Sequence, residues 1–145
     1  MQPPQVFLAD AAYLALVAEA REYADRETGG IFLGTIQDER WYVLEVIDPG
    51  YGRIVRKTAY FEYDREYVTH LANVRSRLYR NGLGLLGLWH RHPGSFDRFS
   101  RTDDGTNRIF AEGRPEGALS ALVNFDPDFL YTPEATTSLK PTISR

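Results

Sequence analysis

Leu83-Gly84-Leu85-Leu86-Gly87-Leu88-Trp89-His90-Arg91-His92-Pro93-Gly94-Ser95-Phe96-Asp97-Arg98-Phe99-Ser100-Arg101-Thr102-Asp103-Asp104 decides how the chain is read. Leu83–Trp89 is short and apolar and contains Gly84 and Gly87. That composition predicts a strand buried on both faces, with glycines where another element comes close. Residues i and i+2 of a strand share a face. His90 and His92 therefore project together from the strand's end, and Arg91 projects away from them. Pro93 has no N–H to give a ladder, so the strand should stop there. Ser100-x-x-Asp103 has the form of a helix N-cap followed by an acidic first turn. A turn through residues 94–99 would carry the Asp103 carboxylate back to the two imidazoles.

Two nitrogen donors and one oxygen donor suit zinc, and three protein ligands leave a fourth tetrahedral position for water, as in catalytic zinc sites. Asp97 and Asp104 are alternatives for the oxygen donor. Such a site needs a carboxylate that is not a ligand to move the proton between water and a leaving amine. Glu27 is the candidate, just ahead of an apolar strand and beside Gly29 and Gly30; Glu22 and Asp25 are the alternatives.

Working outward from this segment, the periodicity predicts a helix from Asp10, as cap, to about Ala24. Its apolar face is Tyr13, Leu16, Val17, Ala20 and Tyr23. The Gly29-Gly30 bend should follow, then a hairpin of Ile31–Ile36 and Trp41–Ile47. A third strand is expected from Lys57 or Thr58 to Tyr63. A second helix should run from the cap Asp64 to Arg80, ended by Asn81-Gly82, with His70 as a solvent-edge residue rather than a ligand. A third helix is expected over Thr102–Glu112, a core strand over Ala118–Phe125, and a short strand over Phe129–Thr132. Residues 133–145 read as an edge segment or a tail. Strands and helices in this order predict an α/β fold: a single domain over residues 1–145, core about 8–132, built on a mixed curved β-sheet flanked by helices.

Composition sets limits. The 145 residues are 43% hydrophobic and 26% charged, ordinary values for a globular domain, with a net charge of −3. No overall basic character points to nucleic acid, no apolar run approaches a membrane span, and no signal region opens the chain. A cytoplasmic location is the default expectation. The absence of cysteine excludes a thiol nucleophile and a thiolate metal site. Arg53, Arg56 and Lys57 form a local basic stretch, read as a solvated loop face.

Glu27, His90-x-His92-Pro93 and Ser100-x-x-Asp103 together resemble the signature of the JAMM (JAB/MPN) metalloprotease family. The resemblance spans roughly Ala11–Tyr131, but its specific residues are these six. It implies a curved sheet with helices on both sides, similar to the cytidine deaminases. It implies a zinc-dependent isopeptidase of the deubiquitinase type, with zinc on His90, His92 and Asp103, Glu27 as acid/base, and Ser100 stabilising the oxyanion. Arg91 stands where the family often has Ser or Thr. The resemblance is to compact members without the two insertions of linkage-specific eukaryotic enzymes, and the chain is similar to stand-alone bacterial JAB peptidases. Those are encoded beside ubiquitin-activating-like and ubiquitin-conjugating-like enzymes, including anti-phage systems. The implied substrate is a ubiquitin-like protein, or a protein conjugated to one, with its C-terminal tail in the active-site groove. Arg91, Arg98 and Arg101 would favour an acidic partner. The other readings are a metal-free MPN-type scaffold and a sulfur-carrier-processing zinc amidohydrolase.

Overall fold

In the computed structural model, residues 4–23, 25–51, 55–56, 61–91, 111–112, 114–125 and 137–144 are described. The elements are β1 (Gln5–Leu8), α1 (Asp10–Glu22), β2 (Thr28–Gln37), β3 (Arg40–Ile47), β4 (Val55–Arg56), β5 (Phe61–Glu62), α2 (Arg65–Ser76), β6 (Gly84–Arg91), β7 (Ala118–Phe125) and β8 (Thr137–Ser144). Six strands form one sheet in the order β1-β3-β2-β6-β7-β8, and β4 and β5 form a separate two-stranded pair. The β1–β3 and β6–β7 pairs are parallel, and the other neighbours in the large sheet are antiparallel. The expected mixed α/β architecture is therefore present.

The sheet has an apolar layer on each face. Ala12, Leu16 and Ala20 of α1 pack with Phe32, Trp41, Val43, Trp89, Leu119, Ala121 and Val123 on one side. Val68 of α2, with Tyr67, Leu71 and Ala72 beside it, packs with Ile31, Leu33 and Ile47 on the other. The buried residues of α1 recur every four positions, so they line one stripe of the helix. Two are alanines, which lets the helix axis lie close to the sheet. Tyr13, expected in this stripe, is 36% exposed, and Ala12 takes the inward position.

Two register irregularities decide which residues reach which face. Leu33 pairs with Glu45 while Gly34 pairs with Val43, so Leu44 is an extra residue on β3. Phe32 pairs with Gly87 while Leu33 pairs with Leu85, so Leu86 is an extra residue on β6. An extra residue switches the side-chain parity of everything beyond it. That is why Trp41 and Val43 lie in the α1 layer but Ile47 lies in the α2 layer. On β6, Trp89 falls on the α1 side and Leu88 on the α2 side.

Several boundaries differ from the expectation. Gly29 and Gly30 are not a bend; they lie inside β2, which starts at Thr28. A glycine pair weakens a strand in isolation, but β6 supplies ladder partners here, His90 for Gly29 and Trp89 for Gly30. Asp10 is the first residue of α1, not its cap; the N-cap is Ala9, with no side-chain cap bond, and Asp10 sits in the acidic first turn. Asp64 does cap α2, accepting from the Tyr67 N–H at 3.1 Å. That helix ends at Ser76, and turns lead from there to Gly82 at φ +69°. Leu78, inside the helix expected to reach Arg80, instead lies in these turns and is 67% exposed. Of the third expected strand, Phe61–Glu62 form β5, paired with β4; residues 57–60 lie outside the described residues.

Two strands were not anticipated or not resolved by pattern. β1 adds an edge beside β3 from residues too few to show a periodicity. β8 forms the other edge, antiparallel to β7, so residues 137–144 are an edge segment rather than a tail. Pro141 is tolerated there because an edge strand has one unpaired side. The helix expected over Thr102–Glu112 lies mostly outside the described residues, with buried Ala111 in helical conformation. The strand expected at Phe129–Thr132 also lies outside them.

Candidate functional site

His90 is the next-to-last residue of β6 and is 7% exposed. The β2–β6 ladder sets Gly29 directly opposite it and Thr28 opposite Arg91. On the other side His90 pairs with Leu122 of β7. Its face follows from its neighbours. Trp89 and Leu88 belong to the α1 and α2 layers respectively, so alternation assigns His90 to the α2 side and Arg91 to the α1 side.

Glu27 immediately precedes β2 and is half-buried. Ile31 and Leu33 are in the α2 layer. Counting back by twos through Gly29, the same alternation carries Glu27 to the α2 side. Glu27, just ahead of β2, and His90, near the end of β6, therefore stand at the same end of the sheet. Gly29 is the residue opposite His90, so Glu27, two positions on, is a diagonal neighbour, at roughly 7–8 Å. A carboxylate and an imidazole at that spacing can address one small group.

The opposite face at this end is also built. Thr28 is completely buried, and its hydroxyl donates to Glu19 Oε1 of α1 at 2.9 Å. Arg91, its cross-strand partner, is 2% exposed. Burial pushes the Arg91 guanidinium below its ordinary range, and the Asp25 carboxylate works against that shift. Arg91 thus faces away from His90, as the i, i+2 argument required. Its burial removes it from the set of arginines expected to meet an acidic partner.

The fallback carboxylates are poorly placed. Glu22 is exposed in the last turn of α1, and Asp25 is exposed and lies 3.9 Å from Arg26. His70 is exposed on α2, as expected of a helix-edge residue. His92, Ser100 and Asp103, with the alternatives Asp97 and Asp104, lie outside the described residues, so of the expected site Glu27 and His90 are described, both at one end of the β2–β6 pair. Among the described residues no group of three metal-binding side chains is assembled. Of the expected ligands His90 fits zinc in kind, an imidazole nitrogen near a strand end; Glu27 is the carboxylate expected not to be a ligand.

Pattern reading missed Thr28 and Glu19. Thr28 stood between the acid/base candidate and the glycine pair, where it read as part of a bend. Glu19 lay three residues after Leu16 on the predicted helix, close enough to the inward stripe to signal a sheet contact.

Comparison with known proteins follows this geometry. Residues 9–118 match the family described as prokaryotic homologs of the JAB domain. The chain belongs to that family. It is also similar to a probable metalloprotease, y4qB, of Sinorhizobium fredii, with 26% identity over 93 residues. That match covers 64% of this chain and 57% of the relative, so the chain spans little more than half the length of that protein. The solution structure of protein DSY2949 from Desulfitobacterium hafniense superposes with a TM-score of 0.60 at 17% identity, covering 96% of this chain and 84% of that one. That likeness is one of fold. No helix among the described residues is long and apolar enough to cross a membrane.

Proposed function

We propose that the chain is a zinc-dependent peptidase of isopeptidase type. It cleaves after the C-terminal glycine of a ubiquitin-like protein, or of a protein conjugated through such a tail, in a bacterial ubiquitination-like system. The observation that supports this reading is the β2–β6 register, which sets Gly29 opposite His90 and Thr28 opposite Arg91, with Glu27 immediately ahead of Thr28. Family membership and the metalloprotease relative support it.

In this reading His90, His92 and Asp103 hold zinc. When bound, zinc would polarise the scissile carbonyl and lower the pKa of water to about 7. The Glu27 carboxylate takes a proton from the attacking water, whose oxygen joins the carbonyl carbon. Glu27 then gives that proton to the departing amine as the C–N bond breaks. The products are a C-terminal carboxylate and a free amine, and Glu27 is regenerated. Ser100 donates a hydrogen bond to the developing oxyanion, a role worth about 2.7–4 kcal/mol in other hydrolases. The substrate tail is added along the sheet end as an extended segment, where backbone bonds supply much of the affinity. Partners in the same system are ubiquitin-activating-like and ubiquitin-conjugating-like proteins.

The test pairs metal analysis with cleavage of a fusion carrying a ubiquitin-like C-terminal tail. Wild-type protein should hold about one zinc per chain and cleave the fusion. Glu27→Gln should keep the metal and lose turnover. A wild-type protein that takes up no zinc and cleaves nothing would overturn the reading in favour of a binding scaffold.

A further inference from the structure

We propose that Thr28 is a positioning residue for Glu27, acting through its hydrogen bond to Glu19; this rests on the peptidase reading above. Three observations converge on it. Thr28 follows Glu27 directly and is completely buried, so its side chain has a defined place in the fold. Its hydroxyl donates to Glu19 Oε1 at 2.9 Å, tying the first residue of β2 to the last turn of α1. Its backbone is also the last described rung of the β2–β6 ladder, opposite Arg91.

The consequence is geometric. Consecutive strand residues point to opposite faces. Fixing the Thr28 side chain on the α1 side fixes the rotation of the strand about its own axis. That rotation sets the direction in which Glu27 leaves on the other side. The Thr28–Glu19 bond is a side-chain anchor at a strand start where the next two residues, Gly29 and Gly30, have no side chains to offer one. Terminal rungs fray readily, while an acid/base must stay within hydrogen-bond reach of its proton. The tether thus joins helix α1, remote from the α2-side site, to the orientation of the proton-transfer group. Thr28 and Glu19 touch neither substrate nor metal in this scheme. They act through Glu27.

The prediction separates from a plain stability effect. Thr28→Val keeps the shape and β-branching but removes the donor. Glu19→Ala removes the acceptor from a half-buried helix position and leaves the strand untouched, so it serves if the valine variant does not fold. Thr28→Ser restores the donor. Both disrupting variants should keep zinc stoichiometry and KM and lose about tenfold or more in kcat, the scale of a small misplacement of a reacting group. Amide hydrogen exchange at Thr28 and Arg91, measured on the full chain without substrate, should accelerate in both, while amides of β7 stay protected. Thr28→Ser should recover both readouts. Folded Thr28→Val and Glu19→Ala proteins with wild-type kcat and wild-type exchange would overturn the proposal, as would a kcat loss that serine does not rescue. If exchange responds as stated but the wild-type protein cleaves no ubiquitin-like fusion, the tether stands and the peptidase reading falls.

Discussion

Trp89 of β6 donates its indole N–H to the backbone carbonyl of Ile47 on β3 at 3.2 Å, reaching across the strand that lies between them. The crossing passes over Gly30, which pairs with Trp89 in the ladder. A Cβ at Gly30 would run into the Ile47 carbonyl and come within 2.9 Å of the indole nitrogen. Both tryptophan and carbonyl are buried, so the bond satisfies two groups that have no access to water.

Gly30→Ala should therefore destabilise the protein by about 1–3 kcal/mol, by overpacking and by loss of a buried hydrogen bond. Urea unfolding would measure it, with tryptophan fluorescence reporting the displaced indole. Gly84→Ala is the control. Its Cβ would lie 3.7 Å from the Gly34 carbonyl oxygen, an ordinary contact, and its backbone is compatible with alanine. That variant should be neutral or slightly stabilised, because alanine restricts the unfolded chain.

The same crossing shows what pattern could and could not convey. Apolar strands, the Asp64 cap and the strand Ala118–Phe125 were legible because each rests on local chemistry read over a few residues. The faces of the sheet were not, because they depend on single extra residues at Leu44 and Leu86 that no periodicity marks. The Gly29-Gly30 pair read as a bend since glycine usually signals one. In the fold both lie inside β2, and Gly30 makes room for the Trp89 indole. Of the site, motif spacing pointed to Glu27 and His90, which the fold sets at the start of β2 and the end of β6. The support behind them, Thr28 with Glu19, was not, because it joins a helix to a strand through tertiary packing.

Leu16 is completely buried between α1 and the sheet. Leu16→Ala should cost about 2–5 kcal/mol, the range for a core leucine whose surroundings relax only partly. Since α1 also holds Glu19, this variant should lower the melting temperature in calorimetry and loosen the β2 start, visible as faster amide exchange at Thr28.

The Tyr67 hydroxyl donates to Asp48 Oδ2 at 2.9 Å. Burial, then the Asp48 hydrogen bond and its charge, push the Tyr67 pKa up to about 12. The folded protein therefore keeps the phenol protonated at pH values where the unfolded chain, near 10, has released the proton. This stability is fully present below pH 10 and is lost as the pH rises from 10 towards 12. Urea unfolding between pH 9 and 11.5 should show the decline in wild-type protein, and Tyr67→Phe should flatten it. Tyr79, raised in the same direction by burial and by its hydrogen bond to Glu45, supplies the slope that remains.

Arg91 gives the sharpest check on how β6 presents its end. It is adjacent to His90, yet alternation puts the two side chains on opposite faces, with Arg91 buried on the α1 side. If that assignment holds, Arg91→Met changes the α1 side and leaves the metal-facing side as it was. Methionine approximates the buried aliphatic stem, and replacing a buried charge by an apolar group of similar size is often close to neutral for stability. Arg91→Met should therefore keep the zinc content of the wild-type protein, measured by atomic emission on purified chain, while His90→Ala should lose most of it. Loss of zinc in a folded Arg91→Met protein would mean that the guanidinium reaches the metal side. That result would move the bulge at Leu86, on which the facing of His90 depends.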